Sequence, residues 1–317
     1  MTAKKIFITG AGGMLGSALM RHHAVNGHTV RGYDVFSHMA SVHVGDIRDG
    51  TALTRAMMDF APDRVYHCAA MLGVKNTEDH PAICREINEN ATMSVYQAAM
   101  LSGATEFVFT SSSEVYGDVG DARRIAEWQP LDGNNVYALG KIAAERYLLS
   151  KTDDMKIVIA RMFNCFGLGQ VKQFLVPKLV GQFDRGETPA LYGDPNNVRS
   201  YLYAQDAATY LCHIGDRAKN GEVINVASGE DRTLHNVVHT IAAAFEKPIV
   251  PHYEVIKGDD YPDRKRSRDI PNRLADITRL RQLSTYAPTR FDDAVSRVVR
   301  YREGLRDGWV YSMERFT

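Results

Sequence analysis

"KIFITGAGGMLG", residues 5–16, decides the fold. Its first half reads as a short buried strand, and Gly10, Gly13 and Gly16 fall just after it, at the mouth of a helical pattern over 13–26. A pyrophosphate needs backbone to approach closely and helix amides to point at it, and glycines at such a turn permit both. Strand before and helix after make this a dinucleotide-binding turn rather than an ordinary glycine loop. The next strand, "TVRGYD" (29–34), ends in Asp34, 18 residues after Gly16. A carboxylate there accepts hydrogen bonds from an adenosine ribose diol and repels a 2′-phosphate, which favours NAD over NADP. Asp46, in "GDIRD", either meets the adenine alongside the Ile47 backbone or closes an Asx turn.

Further along, short apolar runs alternate with helical patterns. Strands are expected at 41–46, 64–70, 106–112 and 156–163, and helices near 50–60, 82–102 and 136–151. Such alternation predicts a parallel sheet with helices on both faces, an α/β Rossmann-type doubly wound fold. Beyond residue 165 the pattern gives way to loops rich in Gly, Pro, Asp and Asn, a charged stretch at 257–273 and a last helix over 291–303. The chain therefore divides into an NAD-binding domain at 1–165 and a smaller, irregular substrate lobe at 166–317, some of whose segments return to the sheet.

Bulk properties narrow the partners. The chain has 317 residues, 44% hydrophobic, with 38 basic and 38 acidic side chains, so no net field steers it to nucleic acid or to an anionic membrane. No apolar run approaches the ~18 residues of a transmembrane helix. The first strand begins too early to leave room for a signal peptide, so a cytoplasmic location is expected. Cys68, Cys84, Cys165 and Cys212 are far apart and show no metal-ligand spacing, so reduced thiols and no metal are expected.

"NNVYALGKIAAERYLL" holds Tyr137 and Lys141 four apart, so both project from one helix face with Cβ atoms ~6 Å apart. An ammonium there favours the tyrosinate. Bringing a phenol from its ordinary value to near neutrality takes about 4 kcal/mol, which a nearby cation and a nicotinamide's charge can supply together. Tyr137 then acts as a general base when substrate is oxidised and as an acid when it is reduced. Upstream, "TSSSEVYG" (110–117) ends a strand and offers Ser112 as a second donor to the same substrate oxygen.

Together "TGAGGMLG", Asp34, "HCAA" (67–70), "SSSEVYG", "YALGK" and "RMFNCFG" (161–167) resemble the extended short-chain dehydrogenase/reductase family, the nucleotide-sugar epimerases and dehydratases. The similarity runs through "VRSYLYAQDAA" (198–208), "INVASG" (224–229) and "LADI" (274–277), nearly the whole chain. It implies a catalytic Ser112, Tyr137 and Lys141, with NAD held by Gly10, Gly13, Met14, Gly16, Asp34, Asp46, Ile47, Ala69, Ala70 and Met71 as well as by Tyr137 and Lys141. It also implies a nucleotide-diphosphate sugar near Ser113, Glu114, Asn164, Val176, Arg199 and Arg273, and a homodimer formed through a four-helix bundle of segments 82–102 and 136–151. Forked guanidiniums suit a diphosphate on independent grounds.

The family begins by moving a hydride, usually from sugar C4, to NAD. A 4-epimerase needs no further groups and is the favoured reading. Glu114 matches a base of the 4,6-dehydratases, but Ser113 stands where their acid belongs. UDP-glucuronate decarboxylases carry a similar "STSEVYG" and an arginine matching Arg273, which keeps hexuronate decarboxylation open, whereas "AAMLGVKNTEDHP" (69–81) looks like the epimerases. A 4-keto-sugar reductase, usually NADPH-dependent, is opposed by Asp34. A non-catalytic NAD-binding regulator or scaffold is opposed by the intact Ser-Tyr-Lys set. Asn134-Asn135-Val136 in place of the family's usual Pro-x-Ser, Gly140 before the lysine, Ser200 and "STYAP" (284–288) depart from the pattern and bear on which sugar and base are bound.

Overall fold

The computed structural model describes residues 2–36, 39–120, 124–246, 252–256, 260–261, 264–265, 270 and 272–302. Much of the charged stretch at 257–273, and the part of the substrate lobe from 303 onward, lie outside the described residues.

One seven-stranded sheet organises the chain: β1 (Lys5–Thr9), β2 (Thr29–Asp34), β3 (Val42–Val44), β4 (Arg64–His67), β5 (Glu106–Ser112), β6 (Lys156–Met162) and β7 (Glu222–Val226). Their spatial order is β3, β2, β1, β4, β5, β6, β7, and every neighbouring pair is parallel. The order reverses between β1 and β4, so a ligand crevice opens outside their carboxyl ends. Successive side chains of one strand face opposite sides. Ile6 and Ile8 accordingly join a core with Leu19, Val108, Val158 and Leu211, while Phe7 joins one with Leu53, Val95, Phe107, Ile157 and Leu148. Burial on both faces is what makes these strands continuous apolar runs rather than alternating ones.

The helices are α1 (Met14–Val25), α2 (Gly50–Phe60), α3 (Val74–Asp79), α4 (Pro81–Arg85), α5 (Ala91–Leu101), α6 (Val136–Leu149), α7 (Leu175–Asp184), α8 (Ala204–Arg217), α9 (Leu234–Ala243), α10 (Thr278–Leu283) and α11 (Phe291–Arg300). The run expected as one helix over 82–102 is instead α4 and α5 joined by a π-helical turn, Glu86–Asn90. That widened turn carries Asn88, whose buried amide both accepts from the Met71 N–H (2.9 Å) and donates to the Met71 carbonyl (3.0 Å). The last helix stops at Arg300, three residues before the expected end at 303.

Residues beyond 165 contribute to the sheet's body as well as to a lobe. β7 pairs with β6, and α8 packs on α1, where Cys212 Sγ lies 3.3 Å from His23 Nε2. Arg64, buried in β4, donates to Asp216 of α8 (2.7 Å) and to Glu106 (2.5 Å). The lobe centres on strand Val198–Tyr203, which pairs antiparallel with Asp231–Thr233 and parallel with Asn164–Phe166 and Asn272–Ala275. Asn272–Ala275 pairs in turn with Arg124–Ile125 from the first half. A third core of Val176, Leu179, Val237, Phe291 and Val295 lies beneath these loops.

Candidate active site

At the carboxyl end of β1 the chain turns under two constraints that glycine meets. Gly10 has φ +70, and a Cβ there would lie 2.5 Å from the Ala69 nitrogen. A Cβ on Gly16 would fall 2.0 Å from the Gly10 carbonyl oxygen, so the first turn of α1 closes only without a side chain. Gly13 stands at the N-cap of α1 and Met14 begins the helix. Asp34 is buried at the end of β2 and accepts from the Gly12 N–H (2.9 Å) and the Phe36 N–H (3.2 Å). Burial raises its carboxyl above the ordinary aspartate value, opposed by those backbone donors. Gly12, absent from the expected set, thus anchors the acidic residue; the doubled glycine of "GAGG" was its signal.

The third side of this crevice is the segment after β4. Ala69 and Ala70 are partly buried, and Met71 is buried with its backbone clamped by Asn88. Asp46 gives its carboxylate to Arg48, with its own Asx contact to the Arg48 N–H (2.9 Å) and a 2.7 Å ion pair. The Asx turn expected at Asp46 is present, and Ile47 is buried beside it in the core. A glycine turn free of side chains, a helix N-terminus behind it and Asp34 at the neighbouring strand end form a cradle that fits NAD.

Where β5 ends, the chemical groups converge. Lys141 donates to the Thr110 carbonyl at 2.9 Å, beside Tyr137 and Ser112. The ammonium lies 4.5 Å from the Phe109 ring centroid and 5.9 Å from that of Tyr137. Burial lowers Lys141 to about 8, partly opposed by Cys68, Cys84 and Glu145. Burial also raises the Tyr137 phenol, helped by the Glu114 charge and opposed by Ser112. Among the chain's own groups desolvation is the dominant influence on this phenol.

Glu114 follows Ser112 in a short 3₁₀ turn, Ser113–Tyr116, where the Ser112 hydroxyl accepts from the Glu114 N–H (3.2 Å). Its carboxylate accepts from the side-chain amide of Asn135 (2.8 Å). Ser113 is only 3% exposed. Behind the site lies a buried network: Ser111 donates to Glu145 (2.5 Å), Arg161 grips Glu145 (2.7 Å) and donates to Tyr116 (3.0 Å), and Tyr116 donates to Asn225 (2.7 Å). It ties α6 to β5, β6 and β7.

Of the residues expected on the substrate side, Asn164, Arg199 and Arg273 lie on strands of the lobe and Val176 on α7. Arg199 lies in register with Arg273 on one neighbouring strand and with Arg232 on the other, so three arginines line up across the small sheet. Arg232 was not expected. Arg199 donates to the carbonyls of Val198 (3.0 Å) and Ile270, and Arg273 reaches the Gly117 carbonyl (3.4 Å) while its buried Nε has no hydrogen-bond partner among the described residues. Asn164 is partly buried opposite Tyr201. Val176 is 2% exposed, with its side chain in the lobe's core.

The fold and the glycine cradle define an NAD-binding enzyme of the Rossmann type. The model of the NAD dependent epimerase/dehydratase family matches residues 6–227, and the chain belongs to that family, the extended short-chain dehydrogenases/reductases. It is 26% identical to a UDP-N-acetyl-alpha-D-glucosaminuronate decarboxylase of Bacillus cytotoxicus over 96% of each chain. Identity is 27% to a UDP-glucose 4-epimerase of Mycolicibacterium smegmatis, covering 90% of this chain and 93% of that one. In fold it is similar to UDP-N-acetylglucosamine 4-epimerase from Methanobrevibacter ruminantium, with TM-score 0.84, 24% identity and coverage of 95% and 98%. Thermus thermophilus UDP-glucose 4-epimerase, solved with NAD, gives TM-score 0.84 at 24% identity, covering 95% of this chain and 99% of that one. The protein is thus an NAD-dependent nucleotide-sugar-modifying enzyme, with relatives among epimerases, decarboxylases and dehydratases. Among the described residues no helix is long and apolar enough to cross a membrane, and no group of three or more His, Cys, Asp or Glu could hold a metal ion.

Proposed function

We propose that the chain is a nucleotide-sugar 4-epimerase: it oxidises C4 of the sugar, lets the 4-keto sugar turn, and returns the hydride to the other face. The observation that carries this reading is the state of Glu114, whose carboxylate is engaged by the Asn135 amide beside a buried Ser113. With a serine rather than an acid at position 113 to pair with Glu114, water loss is not served. Tyr137 takes the C4 hydroxyl proton and gives it back, and Ser112 donates to the same oxygen. Lys141, anchored on Thr110, supports Tyr137 and the nicotinamide ribose. NAD supplies the hydride acceptor and, in its oxidised form, a positive ring that favours the tyrosinate. Arg199 and Arg273 are assigned to the diphosphate, and Asn164 to the phosphate side of the nucleotide.

A second reading, decarboxylation of a hexuronate, is supported by one feature. Arg273 and Glu114 act on each other electrostatically, and the guanidinium could receive a sugar carboxylate. We further propose a homodimer through a four-helix bundle of 82–102 and 136–151, supported by exposed Met100, Leu101 and Leu139. A cytoplasmic site fits four free thiols, Cys68, Cys84, Cys165 and Cys212.

Incubating the purified protein with UDP-, GDP-, CDP- and dTDP-sugars and following products by mass and NMR tests the assignment. Unchanged mass with inverted C4 is expected; loss of carbon dioxide or water would overturn epimerisation.

A further inference from the structure

The position two residues before the catalytic tyrosine performs two tasks at once. Asn135 Oδ1 accepts from the Ala138 N–H at 2.8 Å, capping α6, while its Nδ2 donates to Glu114 Oε2 at 2.8 Å. One planar amide therefore fixes a carboxylate to the same helix that carries Tyr137 and Lys141. A carboxylate that accepts a hydrogen bond is less basic and less free to rotate than one that does not. Glu114 bears electrostatically on Tyr137 and on Arg273, so it lies among the reacting groups, and its 3₁₀ turn is pinned by Ser112.

We propose that Asn135 is a positioning residue that sets the outcome of the reaction, by holding Glu114 away from the C5 proton of the 4-keto sugar. The inference rests on the C4 oxidation described above. A C4 ketone makes C5–H acidic: an unrestrained Glu114 takes that proton, the C–H electron pair passes into a C4–C5 enolate, and the same proton, or one exchanged with solvent, returns to C5. With Asn135 in place the ketone is re-reduced before this happens. The departure of "NNV" from the family's Pro-x-Ser thus acts on which bonds the enzyme breaks.

The test uses the full chain with its bound NAD, in D₂O, with UDP-glucose, dTDP-glucose, GDP-mannose and CDP-glucose as probes. Asn135→Ser keeps a good helix cap and loses the amide donor; Asn135→Asp keeps the size and the cap but places an acceptor against Glu114. Recovered sugars are analysed by mass and NMR for deuterium at C5. The wild type is expected to incorporate little, and both variants roughly tenfold more per C4 oxidation, the cost of one charge-assisted hydrogen bond. Adding Glu114→Gln to either variant is expected to abolish the gain, which a merely structural loosening would not do. The proposal falls if the variants exchange no faster than wild type, if wild type exchanges as fast as they do, or if the gain survives Glu114→Gln. C4 inversion is read from the same spectra, so exchange without inversion rejects epimerisation and retains the role of Asn135, whereas inversion without exchange in the variants does the reverse.

Discussion

The two ends of the crevice are built on different terms. At the cofactor end the ligand's place is made by backbone: Gly10 and Gly16 remove side chains where a Cβ would strike main chain at 2.5 and 2.0 Å, and Asp34 is held by backbone N–H groups. At the sugar end the place is made by side chains from distant segments: Glu114 on Asn135, Lys141 on Thr110, and arginines on three strands of a small sheet. Backbone geometry tolerates almost no substitution, whereas a side-chain constellation can be retuned one residue at a time. One cofactor chemistry can thus be kept while the sugar chemistry changes.

The largest effect should separate the two ends most sharply. Tyr137→Phe removes the proton-transfer group and should lower kcat by about a thousandfold. NAD content, read by absorbance after denaturation, should match wild type, because the glycine turn and Asp34 are untouched. Substantial remaining turnover would sink the assignment of Tyr137.

Next comes the support shared by both ends. Glu145→Gln leaves Arg161 charged and largely unpaired in the interior, which costs about 3–5 kcal/mol. The melting temperature should fall by roughly 10 °C. A loss of under about 1 kcal/mol in urea unfolding would mean that the network adds little beyond packing.

Gly16→Ala tests the backbone end directly. The added methyl must displace main chain, an overpacking worth about 1–3 kcal/mol, and NAD affinity should drop roughly 10- to 100-fold by titration calorimetry. The sugar end should be spared: at saturating NAD, the KM for the nucleotide sugar should change little. A KM change equal to the NAD effect would show the two ends to be one coupled unit.

Legibility in sequence followed the same division. Gly10, Gly13, Gly16 and Asp34 are read from local spacing, and Tyr137 with Lys141 from helix periodicity, because each signal lies within a few residues of its neighbours. Asn135–Glu114 spans 21 residues and Tyr116–Asn225 spans 109, pairings that exist only once the β5, β6, β7 order is formed. Asn135 could have been found earlier: an asparagine just before a helical run is an N-cap signal. Its donor side could not, since nothing local points an amide at Glu114. Periodicity put Lys141 beside Tyr137 but carried no signal of how deep in the core the lysine lies, which packing between distant segments sets.

The smallest effect asks whether the second half is a separate lobe or part of the cofactor body. His23 on α1 lies against Cys212 of α8 and the Tyr66 ring, 3% exposed, and burial with the neighbouring His28 and His22 lowers it to about 3. A histidine kept neutral in the fold contributes stability that is complete above its unfolded value near 6.5 and is lost as pH falls from there toward 3. Each pH unit in that window should cost up to ~1.4 kcal/mol. Urea unfolding at pH 7.5 and pH 5.5 should therefore differ by about 1 kcal/mol more in wild type than in His23→Gln. If α1 and α8 share one cooperative unit, fluorescence and far-UV dichroism will report the same acid-dependent midpoint. Two separated midpoints would instead make residues beyond 165 an independently unfolding body, and the sugar end would then be free to vary in stability as well as in chemistry.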